Sequence, residues 1–315
     1  MSEFLQILQN DIKLLMHGYG DASCPLQESV ELIESIVREQ TYYLMCQLAD
    51  ISTLRESNSL DLEEILCLFR RNKVKLQRLL AYLKSRDMKS SIGKELAPDS
   101  DPDKGKRLKT AQQFLEAIDT AGSLIDVLEE NLVDVAKQRR LLRQDMMSRT
   151  MSEDQYMKFH EARQINLGKR LKSPKVREYL FGDIEQQYKI SPVCLEVVAY
   201  CMHETIAEIV DLAIMIRIET SATTDPLDRL KPLQNPVNPD WLAQRMTLTN
   251  DLTALSLLSS LNAAQNFGQP SDSMASYNAI SPSDIREGLR RRAENLNLFH
   301  SQELYSKNKS ELLCL

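Results

Sequence analysis

Apolar residues recur at intervals of three and four along most of this chain, the spacing of helical faces rather than of strands. Phe4, Ile7, Leu8, Ile12 and Leu15 share one side of a short first helix, which Gly18-Tyr19-Gly20-Asp21 ends. After Cys24-Pro25 a second stripe begins with Leu26, Val30, Ile33 and Val37, passes a single gap near Thr41, and continues through Leu44, Leu48 and Ile51. About 30 residues of helix would reach about 46 Å at 1.5 Å per residue. A helix that long with one continuous apolar face cannot bury itself, so it requires flanking helices and a partner of similar length. Ser57-Asn58-Ser59 breaks the pattern, Leu60 is read as extended chain, and a short third helix starts at Asp61. Val74, Leu76, Leu79, Leu80 and Leu83 carry a fourth amphipathic segment to about Ile92.

The same order returns more than a hundred residues later. Pro174-Lys175-Val176-Arg177-Glu178-Tyr179-Leu180 forms a short helix that ends near Gly182. Ser191 caps, and Pro192 opens, a second long helix through Leu195, Val198, Ala199, Met202, Ile206, Ile209, Val210, Ala213 and Ile216 to about Glu219. A final basic-ended helix then starts at Ile280-Ser281-Pro282-Ser283-Asp284-Ile285 and answers the first copy position by position: Leu60 with Ile280, Glu64 with Asp284, Ile65 with Ile285, Phe69 with Leu289. Short, long, short is the anatomy of a histone fold, here with an extra C-terminal helix in the first copy. A single fold of about 70 residues buries too little surface to stand alone. The expected architecture is therefore all-α: two histone folds in one chain, crossing head to tail as an intramolecular pair, with connector helices between them. The pairing core would consist of Leu26, Val30, Ile33, Val37, Leu44, Leu48, Leu195, Val198, Met202, Ile206, Ile209 and Val210.

The boundaries follow from the breaks. Residues 1–94 form the first fold. Residues 95–150 hold an acidic, proline-containing linker around Pro98-Asp99-Ser100-Asp101-Pro102-Asp103, then one or two connector helices marked by Phe114, Leu115, Ile118, Ile125, Leu128, Leu132 and Val135, fading into the charged stretch Lys137 to Arg149. Residues 151–300 form the second fold, interrupted at about 222–279 by a proline-rich insertion, and 301–315 are a tail. An insertion there is tolerable because closure entropy grows only logarithmically with length.

Composition agrees with this picture. Among 315 residues, 43% are apolar, enough for real cores, and only 9 are Gly, which favours helix. No run of about 18 apolar residues suggests a membrane span, and the first 20 residues, with Glu3 and Asp11, do not resemble a secretory signal. The six cysteines form no C-x-x-C pair and read as reduced structural thiols. A net charge of -6 disfavours wrapping of nucleic acid. The charge is unevenly spread: residues 1–60 hold nine acids against three bases, and residues 70–94 hold nine bases against Asp87 alone. The basic run is either the solvated face of a helix or a contact for nucleic acid or an acidic partner.

The chain resembles the Spt-three (suppressor of Ty, number three) family, a double-histone-fold subunit of the SAGA transcriptional coactivator. The residues that carry the resemblance are Leu15-Met16-His17-Gly18-Tyr19-Gly20-Asp21 with Pro25-Leu26, Leu54-Arg55, and Asp61 through Lys73. They continue with Phe114 through Asp119, Tyr156 to Arg163, Ala199-Tyr200, Glu204-Thr205, Val210 through Ala213, and Ile285-Arg286-Glu287. One departure is that Asp61-Leu62 stands where the family's third helix usually opens with Thr-Pro; Asp caps a helix equally well. The resemblance implies a nuclear, non-enzymatic subunit that contacts the TATA-binding protein and other SAGA subunits and regulates the presence of that protein at RNA polymerase II promoters.

Two groups of residues are candidates for specific roles. Arg55 at the end of the long helix and Glu64 in the third could form the Arg-acid clamp common in histone folds. Glu204, Glu208 and Asp211, spaced four and three apart, share a helix face that could present negative charge to a basic partner, which the resemblance suggests is the TATA-binding protein. Catalysis finds no support: His203-Glu204 lacks the second histidine of H-E-x-x-H because position 207 is Ala207, and there is no Walker loop, no G-x-G-x-x-G and no G-x-S-x-G. No catalytic residue, metal, cofactor or small-molecule substrate is expected, and direct nucleic-acid binding is expected to be weak or absent. Lys104-Gly105-Lys106-Arg107-Leu108-Lys109 reads either as a nuclear-import patch or as a solvated helix start. Two other readings remain: a histone-like DNA-binding protein using Arg70 to Lys94, and a general TFIID-type subunit that needs a separate histone-fold partner.

Overall fold

A computed structural model of the chain describes residues 3–96, 107–119, 132–221, 279–297 and 312–314, with isolated positions at 122, 124, 127 and 130. The elements are α1 (Glu3–Tyr19), α2 (Gln27–Leu54), β1 (Ser59–Leu60), α3 (Leu62–Phe69), α4 (Lys73–Leu96), α5 (Arg107–Ile118), α6 (Val135–Thr150) and α7 (Glu153–Arg163), followed by a 3-10 turn over Leu167–Lys172. They continue with α8 (Pro174–Phe181), α9 (Ile184–Gln187), β2 (Lys189–Ile190), α10 (Pro192–Ser221) and α11 (Pro282–Asn297). The class is all-α; among the described residues the only sheet is the two-residue parallel pairing of β1 with β2. The acidic linker, Ile125, Leu128, residues 222–278 of the insertion and residues 298–311, which include most of the tail, lie outside the described residues.

The described residues divide into two compact units. One draws on Met1–Gln40, Asp134–Arg170 and Met202–Leu313, the other on Thr41–Val133, Leu171–Cys201 and Cys314–Leu315. These units cut across the sequence modules, since α2 divides at Gln40 and α10 at Cys201, so each long helix contributes to both.

In the first unit α1 buries Leu8, Ile12, Leu15 and Met16, and the first half of α2 buries Val30, Ile33 and Val37. The second part of α10 adds Ile206, Ile209, Val210 and Ala213. The helix α1 stops because Gly20 adopts φ +122°, which lets the N–H groups of Gly20 and Asp21 donate to the Met16 carbonyl at 3.1 and 3.0 Å. The turn that follows meets the entry to α11: the Ile280 N–H donates to Asp21 Oδ1 at 2.8 Å, and Ser29 Oγ donates to the Ile280 carbonyl at 2.6 Å.

The second unit repeats this relation with the modules exchanged. Here α8 stops at Gly182, φ +57°, and the chain re-enters through β2, which pairs with the entry to α3 in the register Ser59↔Lys189 and Leu60↔Ile190. Its core takes Leu44, Met45 and Leu48 from α2, Ile65, Leu66 and Phe69 from α3, and Leu76, Leu79, Leu80 and Leu83 from α4. Val176, Leu180 and Phe181 from α8 and Val197 and Val198 from α10 complete it.

The two matched helix starts share their chemistry. At α3 the Asp61 N–H donates to Glu64 Oε2 at 2.7 Å; at α11 the Ser281 N–H donates to Asp284 Oδ2 at 3.0 Å while the Asp284 N–H donates to Ser281 Oγ at 3.3 Å. Each reach-back satisfies donors that the first helical turn leaves unpaired. The apolar residues before and after are sealed in both copies, Leu60 and Ile280 at 0% exposure and Ile65 and Ile285 at 0% and 1%.

Three features extend the sequence reading. The charged stretch expected to fade out after the connector is itself the helix α6, started by Asp134, whose side chain accepts from the Lys137 N–H at 2.9 Å. Its Lys, Arg, Gln, Leu and Met residues are strong helix formers even without an apolar stripe. The helix α7, capped by the Ser152–Gln155 pair, packs on α1 with Phe159 and Ala162 buried. Of the twelve pairing-core residues, ten are buried, whereas Leu26 and Leu195, at the ends of their stripes, are only half-buried.

Candidate functional site

Glu204, Glu208 and Asp211 project from one side of α10 in the first unit, as their spacing requires. That side is not bare: α6 and α11 supply arginines to it. The Arg140 Nε donates to Asp211 Oδ2 at 2.8 Å, and its Nη1 reaches Glu204 Oε2 at 3.4 Å. Arg143 pairs with the other oxygen of Asp211, and Arg292 of α11 pairs with Glu208. The side chains of Glu204 and Asp211 are 14% and 20% exposed and that of Arg140 only 8%. Burial by itself would lower the Arg140 pKa, but Asp211 and Glu204 outweigh it and hold the guanidinium firmly protonated. The acids are therefore spent on arginines supplied by α6 and α11, at sequence distances where no helical periodicity could reveal the match.

The arginines of α6 also engage the end of α1. Arg143 Nε donates to the Tyr19 carbonyl and Gln144 Nε2 to the Gly18 carbonyl, both at 2.9 Å, and the Arg140 guanidinium lies 5.6 Å from the Tyr19 ring centroid. Arg139 reaches Met215 Sδ at 3.5 Å. A Cβ at Gly20 would stand 2.6 Å from Arg143 Nε, so glycine is required there for space as well as for its backbone angle.

Two ionisable groups, the half-buried His203 and the buried Asp21, flank this cluster. His203 accepts from the Leu167 N–H at 3.3 Å, and burial drives its pKa down to about 4, so the imidazole is a neutral acceptor. Asp21 is 1% exposed, and burial pushes its pKa up to about 6 against the opposing hydrogen bonds from the Ile280 and Ala22 N–H groups. The sequence names Asp21 at the end of the first helix and His203 only to set aside H-E-x-x-H; their enclosure could not be read there, because it depends on contacts from distant segments.

In the second unit Arg55 forms ion pairs with both Glu63 and Glu64, and its guanidinium lies 5.4 Å from the Phe114 ring centroid. The Glu64 side chain is 2% exposed, and its second oxygen takes the Asp61 N–H, so one carboxylate closes the clamp and the helix cap together. An open cleft beside it is lined by Arg55, Asp61, Glu64, Arg107 and Ser191, among others. The basic run of α4 is partly matched: Arg86 pairs with Glu196, Lys73 lies 3.6 Å from Glu130, and Arg78 is buried. Arg70, Arg71, Lys84 and Lys89 are exposed. Lys104 to Lys106 lie outside the described residues, and Arg107 is ion-paired with Asp87 and Glu196. Among the described residues no group of His, Cys, Asp and Glu is placed to hold a metal ion, and no helix is long and apolar enough to cross a membrane.

Comparison with known proteins adds the family. Residues 6–97 match the family model described as transcription initiation factor IID, 18kD subunit. The chain is 29% identical to the SAGA complex subunit Spt3 of Drosophila melanogaster over 71% of this chain and 56% of that protein. It is 20% identical to the SAGA complex subunit Spt3 of Schizosaccharomyces pombe over 70% of this chain and 74% of that one. A shorter match, 33% identical over 26% of this chain and 24% of that protein, links it to the SAGA complex subunit SPT3 of Saccharomyces cerevisiae. The chain thus aligns with little more than half the length of the Drosophila relative.

Proposed function

We propose, from the premise that this chain belongs to the Spt3 family, that it is a non-enzymatic nuclear subunit of a SAGA-type coactivator that binds the TATA-binding protein and regulates its recruitment to RNA polymerase II promoters. The observation that carries this reading is the extended similarity to proteins named as SAGA subunits, running through both sequence modules. The modules are read as two histone folds, 1–94 and 151–300, paired within one chain. The relation made twice supports this: the turn after α1 meets the entry to α11, and the turn before α10 meets the entry to α3. Other SAGA subunits are the further partners.

The contact for the TATA-binding protein is assigned to the acidic side of α10, with Glu204 and Asp211 as its centre. A basic surface would satisfy these carboxylates as the arginines of α6 do. The test is a binding titration of the purified chain with the TATA-binding protein in the absence of DNA, repeated with Glu204→Lys. Saturable binding that the substitution weakens supports the assignment, and normal binding by the variant removes Glu204 from the site. Binding to DNA alone with a steep salt dependence would instead favour the exposed bases around Arg70 and Arg71. A chain that runs as a monomer in sedimentation fits the internal pair, whereas a stable dimer would favour a subunit that seeks a separate partner.

A further inference from the structure

The helix α6 is attached in an unusual way. Of its 16 residues only Val135 and Arg140 are buried among those whose side chains are described, and Leu141 and Leu142 point outward at 52% and 38% exposure. Apolar burial, the ordinary adhesive of a packed helix, is nearly absent. What holds α6 is a row of polar contacts: Arg140 to Glu204 and Asp211, Arg143 to Asp211 and the Tyr19 carbonyl, and Gln144 to the Gly18 carbonyl. Every acceptor in that row, carboxylate or carbonyl, regains water when the helix leaves, and Val135 is the one apolar side chain of α6, among those described, that is buried. The neighbouring α11 differs. It carries Arg292 to Glu208 but is also anchored by the buried Ile285, with Ile280 buried just before it.

We propose that α6 is a detachable arginine strap that occupies, within the chain, the acidic side of α10 used by a basic partner, so that docking of α6 and binding of the partner exclude one another. The inference rests on the assignment of that side as the contact for the TATA-binding protein, and it adds the regulation of the site. The guanidinium groups of Arg140 and Arg143 stand where the cations of the partner would stand. A partner must displace them to reach Glu204 and Asp211, whereas Glu208 stays covered by α11. The strap therefore lowers the apparent affinity by the fraction of chains in which it is docked.

The experiment combines hydrogen exchange over residues 135–150 with a binding titration, both on the full chain. The variant Arg143→Ala/Gln144→Ala removes the anchors to the end of α1 and leaves Glu204, Asp211 and Arg140 in place; circular dichroism checks that it folds. Saturating TATA-binding protein should accelerate exchange in α6 of the wild type, and the variant should bind roughly tenfold more tightly. Binding with α6 still protected overturns the strap and removes Glu204 and Asp211 from the contact, whereas a variant that binds no more tightly overturns the strap while leaving the assigned contact standing. Failure of both chains to bind overturns the contact and the strap together. The wild-type exchange measurement decides the question even if the variant does not fold.

Discussion

Asp21 makes the stability of the chain depend on pH in a direction opposite to that of most carboxylates. Its side chain is sealed between the turn after α1 and the entry to α11; Oδ1 takes two N–H groups, and Oδ2 is buried without a hydrogen-bond partner. Burial raises the folded-state pKa to about 6 from 3.8. The folded chain then binds the proton more tightly than the unfolded chain, so stability is gained on acidification below pH 6 and lost as pH rises through that value. With those two values the gain relative to pH 7 is about 1.3 kcal/mol at pH 5 and about 2.4 kcal/mol at pH 4. Asn in place of Asp21 keeps an oxygen acceptor for Ile280 and Ala22 but cannot titrate. Urea unfolding of wild type and Asp21→Asn at pH 7.5 and pH 5, followed by near-UV circular dichroism, isolates the effect, because every other group titrates in both chains. At about 3 kcal/mol per molar of urea, the difference between the two midpoints should change by about 0.5 M in favour of the wild type at pH 5. A difference that does not move with pH would mean that Asp21 ionises as an exposed carboxylate and that the contact with α11 does not enclose it.

Three other substitutions test neighbouring parts of the structure. Histidine 203 works against Asp21: its folded pKa of about 4 lies below the ordinary 6.5, so its contribution is complete above pH 6.5 and about 2 kcal/mol of it is lost by pH 5, a loss absent in His203→Gln by the same urea assay. Arg55→Ala leaves the buried Glu64 carboxylate without its guanidinium and should cost about 1–3 kcal/mol, read as a melting temperature lower by several degrees; an unchanged melting curve would remove the clamp from the stability of the second unit. Gly20→Ala forces a side chain into φ +122° against Arg143 and should cost about 1–3 kcal/mol in the same measurement, with a neutral result showing that the turn and α6 yield without strain.

The long helices and their short companions were legible because a half-buried helix leaves a period in the sequence, and Val30, Ile33, Val37, Leu44 and Leu48 keep it on the buried side, with the buried Thr41 filling the one gap. The reading was less complete for α10. Cys194 and the unbroken run from Val197 to Met202 are buried, so this helix is enclosed on more than one face and a single stripe understates its core. The helix α6 was the least legible, since its contacts are made by arginines and not by a repeating apolar residue. For the candidate site, the shared face of Glu204, Glu208 and Asp211 followed from spacing alone. Its covering did not, because Arg140 lies 71 positions from Asp211 in the chain and nothing local ties the two together. Asp61 and Glu64 were legible as a helix start, yet the burial of Glu64 arises from its packing environment and could not be read from the cap.

The hydrogen bond between Asp21 and Ile280 joins positions 259 residues apart. A ribosome adding about 5–20 residues per second needs on the order of 13–50 s to travel that distance. For that interval α1 and the first half of α2 exist without the segment at Ile280 that takes up the hydrogen bonds of Asp21 and Ser29. The nascent chain therefore passes through a long stage in which its earliest helices need shelter.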